Sequence, residues 1–284
     1  MLRLVVPAAV LLLMVSVGMS LDPSRLLGES RRLGGWAWAR LLLFTFVVPP
    51  AAALVLARVF GLVGGERLGL FLVGAAPGAP LLTRNIARKG FDRHLAASYQ
   101  VWSAVLTPLA VPVVVWAAAQ LYDKDAWIPP SQLLLLVLRQ QLLPLFAGMA
   151  LMALAPRFSR RVESGLNLAA NALLVAGFAV VLAAVGPAVA HSINPWLPVA
   201  SVLLAIVSMA VVRLLLRVDD VTEQTLAICN ANRHVGLALL LSGRYVEVAH
   251  AVPAIASYAL LAPVLMALYA RRLAPAAAAA AVGP

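Results

Sequence analysis

Asn230, Asn232, Arg233 and His234 fall within five residues of one another in the stretch AICNANRHVGLALLLSG, residues 227–243. A guanidinium is a fixed positive charge with a planar fork that matches a carboxylate or sulfonate. An imidazole donates, accepts or titrates near neutral pH. Two amides add donors and acceptors of no net charge. This is chemistry for holding a small polar or anionic molecule. Yet the flanking residues are apolar enough for a membrane span. On a regular helix each residue turns about 100°, so these four side chains cannot share one narrow face. An arginine at the bilayer centre costs roughly 2.5–3.5 kcal/mol on insertion scales. That cost falls where the backbone unwinds and the polar groups line a wet, protein-enclosed cavity. The pattern therefore predicts a broken helix.

A second segment carries the same anomaly. In GLFLVGAAPGAPLLTRNIARKG, Pro77, Gly78 and Pro80 interrupt an apolar run. Proline removes a backbone donor and glycine lets the chain leave helical geometry. Thr83, Arg84 and Asn85 follow at once, so TRN here matches NRH there. Paired interrupted helices in two halves of a chain point to a transport site. Blander roles stand beside that reading. Arg84 is close enough to Arg88 and Lys89 to snorkel to the surface. Arg233, about eleven residues from either end of its segment, reaches the surface less easily, but it could serve a buried structural pairing. His234 could simply pack.

The elements that must position these residues are read from composition. The chain has 284 residues, 63% of them hydrophobic and 12% charged, with a mean hydropathy of +0.96. A soluble domain carries about twice that charge. Nine apolar segments recur, at 4–21, 39–61, 67–89, 94–120, 131–155, 164–190, 196–217, 222–243 and 246–270. Each is long enough to cross about 30 Å of hydrocarbon. The runs are continuous, which excludes the alternating pattern of a β-barrel. The expected fold is an all-α polytopic membrane protein of nine transmembrane helices. The first run follows Arg3 and could be read as a signal peptide; a first spanning helix is the simpler reading. Residues 1–272 form one transmembrane domain, and the Ala/Pro-rich tail 273–284 is expected to be disordered.

The net charge of +11 is explained by topology rather than by nucleic acid. With nine crossings, fourteen basic residues fall on the side of the C-terminus and five, Arg3, Arg58, Arg67, Lys124 and Arg244, on the other. The positive-inside rule then places the N-terminus outside and the C-terminus in the cytoplasm of a cell (inner) membrane protein. The only cysteine is Cys229, so no disulfide framework or thiolate metal site is expected. No HExxH helix or GxSxG turn is present, which argues against an intramembrane enzyme.

MVSVGMSL in the first segment, FTFVVPP in the second, AAPGAP in the third and GLALLLSG after the second break resemble the bile acid:sodium symporter family, over about residues 4–272. The resemblance implies two inverted repeats and a panel that rocks against a core. It makes segments 67–89 and 222–243 a pair of crossing broken helices. It implies transport of amphipathic organic anions with Na⁺, related members carrying arsenite or smaller organic acids.

The match departs from the family at the ion site. The family's first crossing reads Pro-Gly-Gly-x-x-Ser-Asn; anchored on Pro77-Gly78, its Ser and Asn fall on Leu82 and Thr83. The second reads Glu-x-Gly-x-Gln-Asn before Gly-Leu-Ala; here Glu falls on Cys229, Gln on Arg233 and Asn on His234. The Ser and Thr ligands of the next helix fall near Ala96 and Gln100. A hard cation needs several oxygens, usually with a carboxylate, so bound Na⁺ and every other metal are disfavoured. The expectation is a secondary transporter of a small organic anion in which Arg233 takes the sodium's electrostatic place. An arsenite-type efflux permease and a non-transporting receptor are the alternatives. The expected site comprises Thr83, Arg84, Asn85, Gln100, Asn167, Asn171, Asn230, Asn232, Arg233 and His234, with Pro77, Gly78 and Pro80 as helix breaks. Ser98, Ser103, Gln140 and Gln141 are further candidates to face it, whereas Arg139 can reach the outer surface.

Overall fold

The structure is a computed structural model, and it describes residues 2–21, 33–78, 91–121, 129–189, 193–243 and 248–280. Every regular element among them is helical. That is what hydrocarbon demands of an apolar chain, because a helix satisfies its own backbone polar groups. The helices are α1 (Leu2–Ser20), α2 (Gly35–Val59), α3 (Gly64–Ala75), α4 (Arg93–Leu121), α5 (Pro130–Val137), α6 (Leu143–Leu154), α7 (Pro156–Val189), α8 (Leu197–Leu215), α9 (Asp220–Ala231), α10 (Val235–Ser242) and α11 (Val248–Ala280). Among the described residues, six helical stretches are long and apolar enough to cross a membrane, and the apolar part of α1, Val5–Ser20, is shorter. The chain is a multi-pass membrane protein.

α5 and α6 form one span joined by a single π-helical turn, Leu138–Leu142. Pro144, at the start of α6, supplies the reason. It has no N–H for the carbonyl four residues back, so the helical register slips there. Two other features differ from the sequence expectation. α7 begins at Pro156, so Arg157, Arg160 and Arg161 belong to its first turns and not to a loop. α11 continues to Ala280, taking in much of the tail expected to be disordered; alanine is the best helix former.

Packing sorts the helices into two groups. α1 packs along α6 and α7, while α2, α3, α8, α9 and α11 pack on one another. In the first group Gly18 and Gly148 meet so closely that a Cβ on either would run into the other helix's backbone. Small residues of this kind let membrane helices approach without a hydrophobic drive from water. α4 touches both groups, packing on α2, α3 and α9 and on α5 and the π-turn.

Among the described residues, Glu66, Asp92, Asp219 and Glu223 lie at helix ends. Asp219 caps α9 by accepting from Thr222 N–H (3.0 Å), and Asp92 accepts from His94 and Leu95 N–H (2.9 and 3.0 Å) at the start of α4. Glu223 faces Arg213 (3.9 Å). Glu66 accepts from the backbone N–H of Asn194 (2.8 Å), whose side-chain amide donates to the Phe60 carbonyl (3.0 Å).

Candidate functional site

The two interruptions meet. α3 ends at Ala75, and Ala76 to Gly78 are not helical. α9 ends at Ala231, and α10 starts at Val235. Between them the His234 backbone N–H donates to the Ala76 carbonyl (2.8 Å). Each break thus satisfies part of the other's freed backbone, which buried peptide groups require. Gly78 adopts a φ of +75°, a region open to glycine without steric cost. A Cβ there would lie 2.9 Å from the Ser103 Cβ and 3.9 Å from the Gln100 carbonyl oxygen, so α4 closes on the first break. Pro80, Thr83, Arg84 and Asn85 lie outside the described residues.

Arg233 is 1% exposed. Its guanidinium turns into the second helix group, where Nη1 donates to the Thr45 carbonyl (3.4 Å) of α2. Nη2 donates to Ser208 Oγ (3.5 Å) of α8 and to Asn230 Oδ1 (3.3 Å), and Nε finds no hydrogen-bond partner. Every one of these acceptors is neutral, and no carboxylate bonds to it among the described residues. Arg233 also stands just past the C-terminal end of α9, where the unpaired carbonyls favour a cation.

Asn230 is fully buried. Its amide donates to the Ser208 carbonyl (2.6 Å) and its oxygen accepts from the Tyr99 hydroxyl (2.9 Å). The Tyr258 hydroxyl of α11 donates to the Ala231 carbonyl at the end of α9. Thr45, Tyr99, Ser208 and Tyr258 were not singled out in the sequence. Their only signal is a hydroxyl within an apolar segment, and Thr45 stands inside the quoted FTFVVPP.

His234 serves the opposite side. Its Nδ1 accepts from Leu237 N–H (3.1 Å) and caps α10, while Nε2 has no partner. A lone pair on Nδ1 puts the proton of the neutral ring on Nε2. The Cε1 atom shares the space before Gly236 with Val10 of α1 and Leu174 of α7. Arg233 and His234 therefore diverge, one into each side of the break, and do not form a single cluster. Asn171 donates to Asn167 Oδ1 (2.7 Å) and leaves its own oxygen buried without a partner. It lies on the α7 face that carries Leu174. Asn232 is half-buried. Gln100 is buried on α4 with both amide atoms unpartnered, and so is Gln141 in the π-turn. Arg139 is exposed. A shallow apolar surface groove lies elsewhere, lined by Pro112, Val113, Trp116 and Pro130. No group of three His, Cys, Asp or Glu side chains that could hold a metal ion occurs among the described residues.

A sequence model of the Sodium Bile acid symporter family matches residues 7–192. The chain belongs to that family. No curated protein matches it. The part matched to the sodium bile acid symporters runs from α1 through α7 and contains the first break. α8 to α11, and with them Asn230, Arg233 and His234, lie beyond it. The chain is thus a membrane transport protein of the sodium bile acid symporter family, and the polar residues of its second break lie outside the matched part.

Proposed function

We propose that the protein is a secondary transporter that moves a small organic anion across the cell membrane without a bound Na⁺, Arg233 supplying the fixed positive charge. The observation that carries this reading is the Arg233 guanidinium, buried among Thr45, Ser208 and Asn230 at the crossing of the two breaks. The residues that align with the family's ion ligands fit Na⁺ poorly. Cys229 and Ala96 are buried and offer no hard oxygen. Gln100 supplies one amide oxygen, and Arg233 brings a like charge. At roughly 5 Å and an effective dielectric constant near 20, that charge repels a sodium ion by about 3 kcal/mol, or about two decades in affinity.

The guanidinium charge that remains makes the breaks attractive to an anion, while the His234 Nε2–H is a separate donor on the side of α1 and α7. The inverted repeat and the rocking of the α1–α6–α7 group against the rest belong to the same reading, as do an outer N-terminus and a cytoplasmic C-terminus. Arsenite efflux is less well supported, because the one thiol, Cys229, gives a trivalent arsenic no second sulfur.

The test is uptake of a panel of organic anions into proteoliposomes at fixed membrane potential, in choline against sodium buffer. Equal initial rates are expected. A strong, saturable sodium requirement would show that a cation site forms after all, and the replacement by Arg233 would be wrong.

A further inference from the structure

The π-turn Leu138–Leu142 holds polar groups that no helix end or loop explains. Gln141 is 1% exposed, and both atoms of its amide lack a partner; Gln140 Oε1 is buried without a partner as well. A buried amide left unpaired costs roughly 1–3 kcal/mol, and a π-turn inside a helix is frequent at functional sites. The turn packs against α1 and α4, and α4 in turn packs on α2, α3 and α9. α1 also contacts α10, and its Val10 stands beside His234.

We infer that Gln141 is a second, neutral subsite that binds a hydroxyl or carboxamide group of the transported anion. This rests on the transport reading above. The ligand class follows from what the amide offers. It presents a donor and an acceptor together, and only a group that itself both donates and accepts satisfies both. A bare carboxylate accepts alone and a metal ion leaves the N–H groups unpaired. An alkyl chain satisfies neither. Arg233 provides for the anionic end; Gln141, in the turn between α5 and α6, recognises a polar group elsewhere on the same molecule. Sites built to hydrogen-bond a substrate hydroxyl discriminate strongly against the analogue that lacks it, because the site's own groups are then left unpaired.

The experiment uses the full chain in proteoliposomes, with linear alkanoates and their ω-hydroxy counterparts of matched chain length as probes. Wild type should take up at least one hydroxylated member about tenfold faster than its parent. Gln141→Leu should remove that preference and keep uptake of the parent acid. It should also raise the thermal midpoint of the substrate-free protein, since an unpaired buried amide is gone; Gln141→Met serves where branching at this position impairs expression. A hydroxyl preference that survives both substitutions overturns the subsite and leaves anion transport standing. So does a lowered thermal midpoint in both variants, which would make Gln141 a structural group. Absence of uptake for every anion in the wild type overturns the transport reading itself.

Discussion

At the residue scale, the divergence of Arg233 and His234 separates two tasks. Arg233 has only neutral acceptors around it. Replacing a buried charge by an apolar side chain of similar volume is often neutral or stabilising. Arg233→Met should therefore keep or raise the thermal midpoint while abolishing anion uptake, and Arg233→Lys should retain part of the uptake. A destabilised, fully active Arg233→Met would make the guanidinium a packing group. His234 holds its Nδ1 against Leu237 N–H, and a proton on that atom would displace the cap. With His234 acting as a hydrogen-bond group in the proposed reading, an imposed pH gradient should not drive uptake. His234→Ala should cost about 1 kcal/mol of stability through the lost cap, and His234→Asn should restore it; thermal melts of the two variants decide this. The sequence placed these residues at the break, but the direction of each side chain depended on Thr45, Ser208 and Leu174, contacts from distant helices that no local pattern encodes.

At the element scale, the first break is held open by backbone geometry. Gly78 combines a φ of +75° with close approach to Ser103. Gly78→Ala should lower stability by about 1–3 kcal/mol from the φ region alone, with a further loss from the clash. Adding Ser103→Gly should return the steric part and leave the φ part, as measured by chemical denaturation of the single and double variants. Interruptions of this type were legible, because Pro77 and Gly78 are local signals. The π-turn was not: Pro144 marks a register slip only once the helix around it is known. The paired amides of Asn167 and Asn171 were legible as a shared face from their spacing, but their bond to each other, Nδ2 to Oδ1 at 2.7 Å, is a rotamer choice.

At the scale of the molecule, length and hydropathy alone were enough for an all-helical membrane protein, and the basic residues predict its orientation. The tail helix tests this directly. Ala278→Cys should react with an impermeant maleimide in inside-out vesicles and not in right-side-out ones. Cys229, which is buried, should stay unlabelled in both. Labelling from the outside would invert the topology, and with it the side on which Arg157, Arg160 and Arg161 stand. The division of the helices into two packed groups could not be read from the segments, since it rests on contacts such as that of Gly18 with Gly148, far apart in the chain.

The His234 N–H to Ala76 carbonyl bond has a consequence for how such a protein can diverge. A main-chain bond is indifferent to the side chains that flank it, and every residue other than proline at 234 would keep the donor. The joint between the two breaks can therefore persist while the chemistry around it is exchanged. Side chains such as those of Cys229 and Arg233 can change around it while the backbone joint stays as it is.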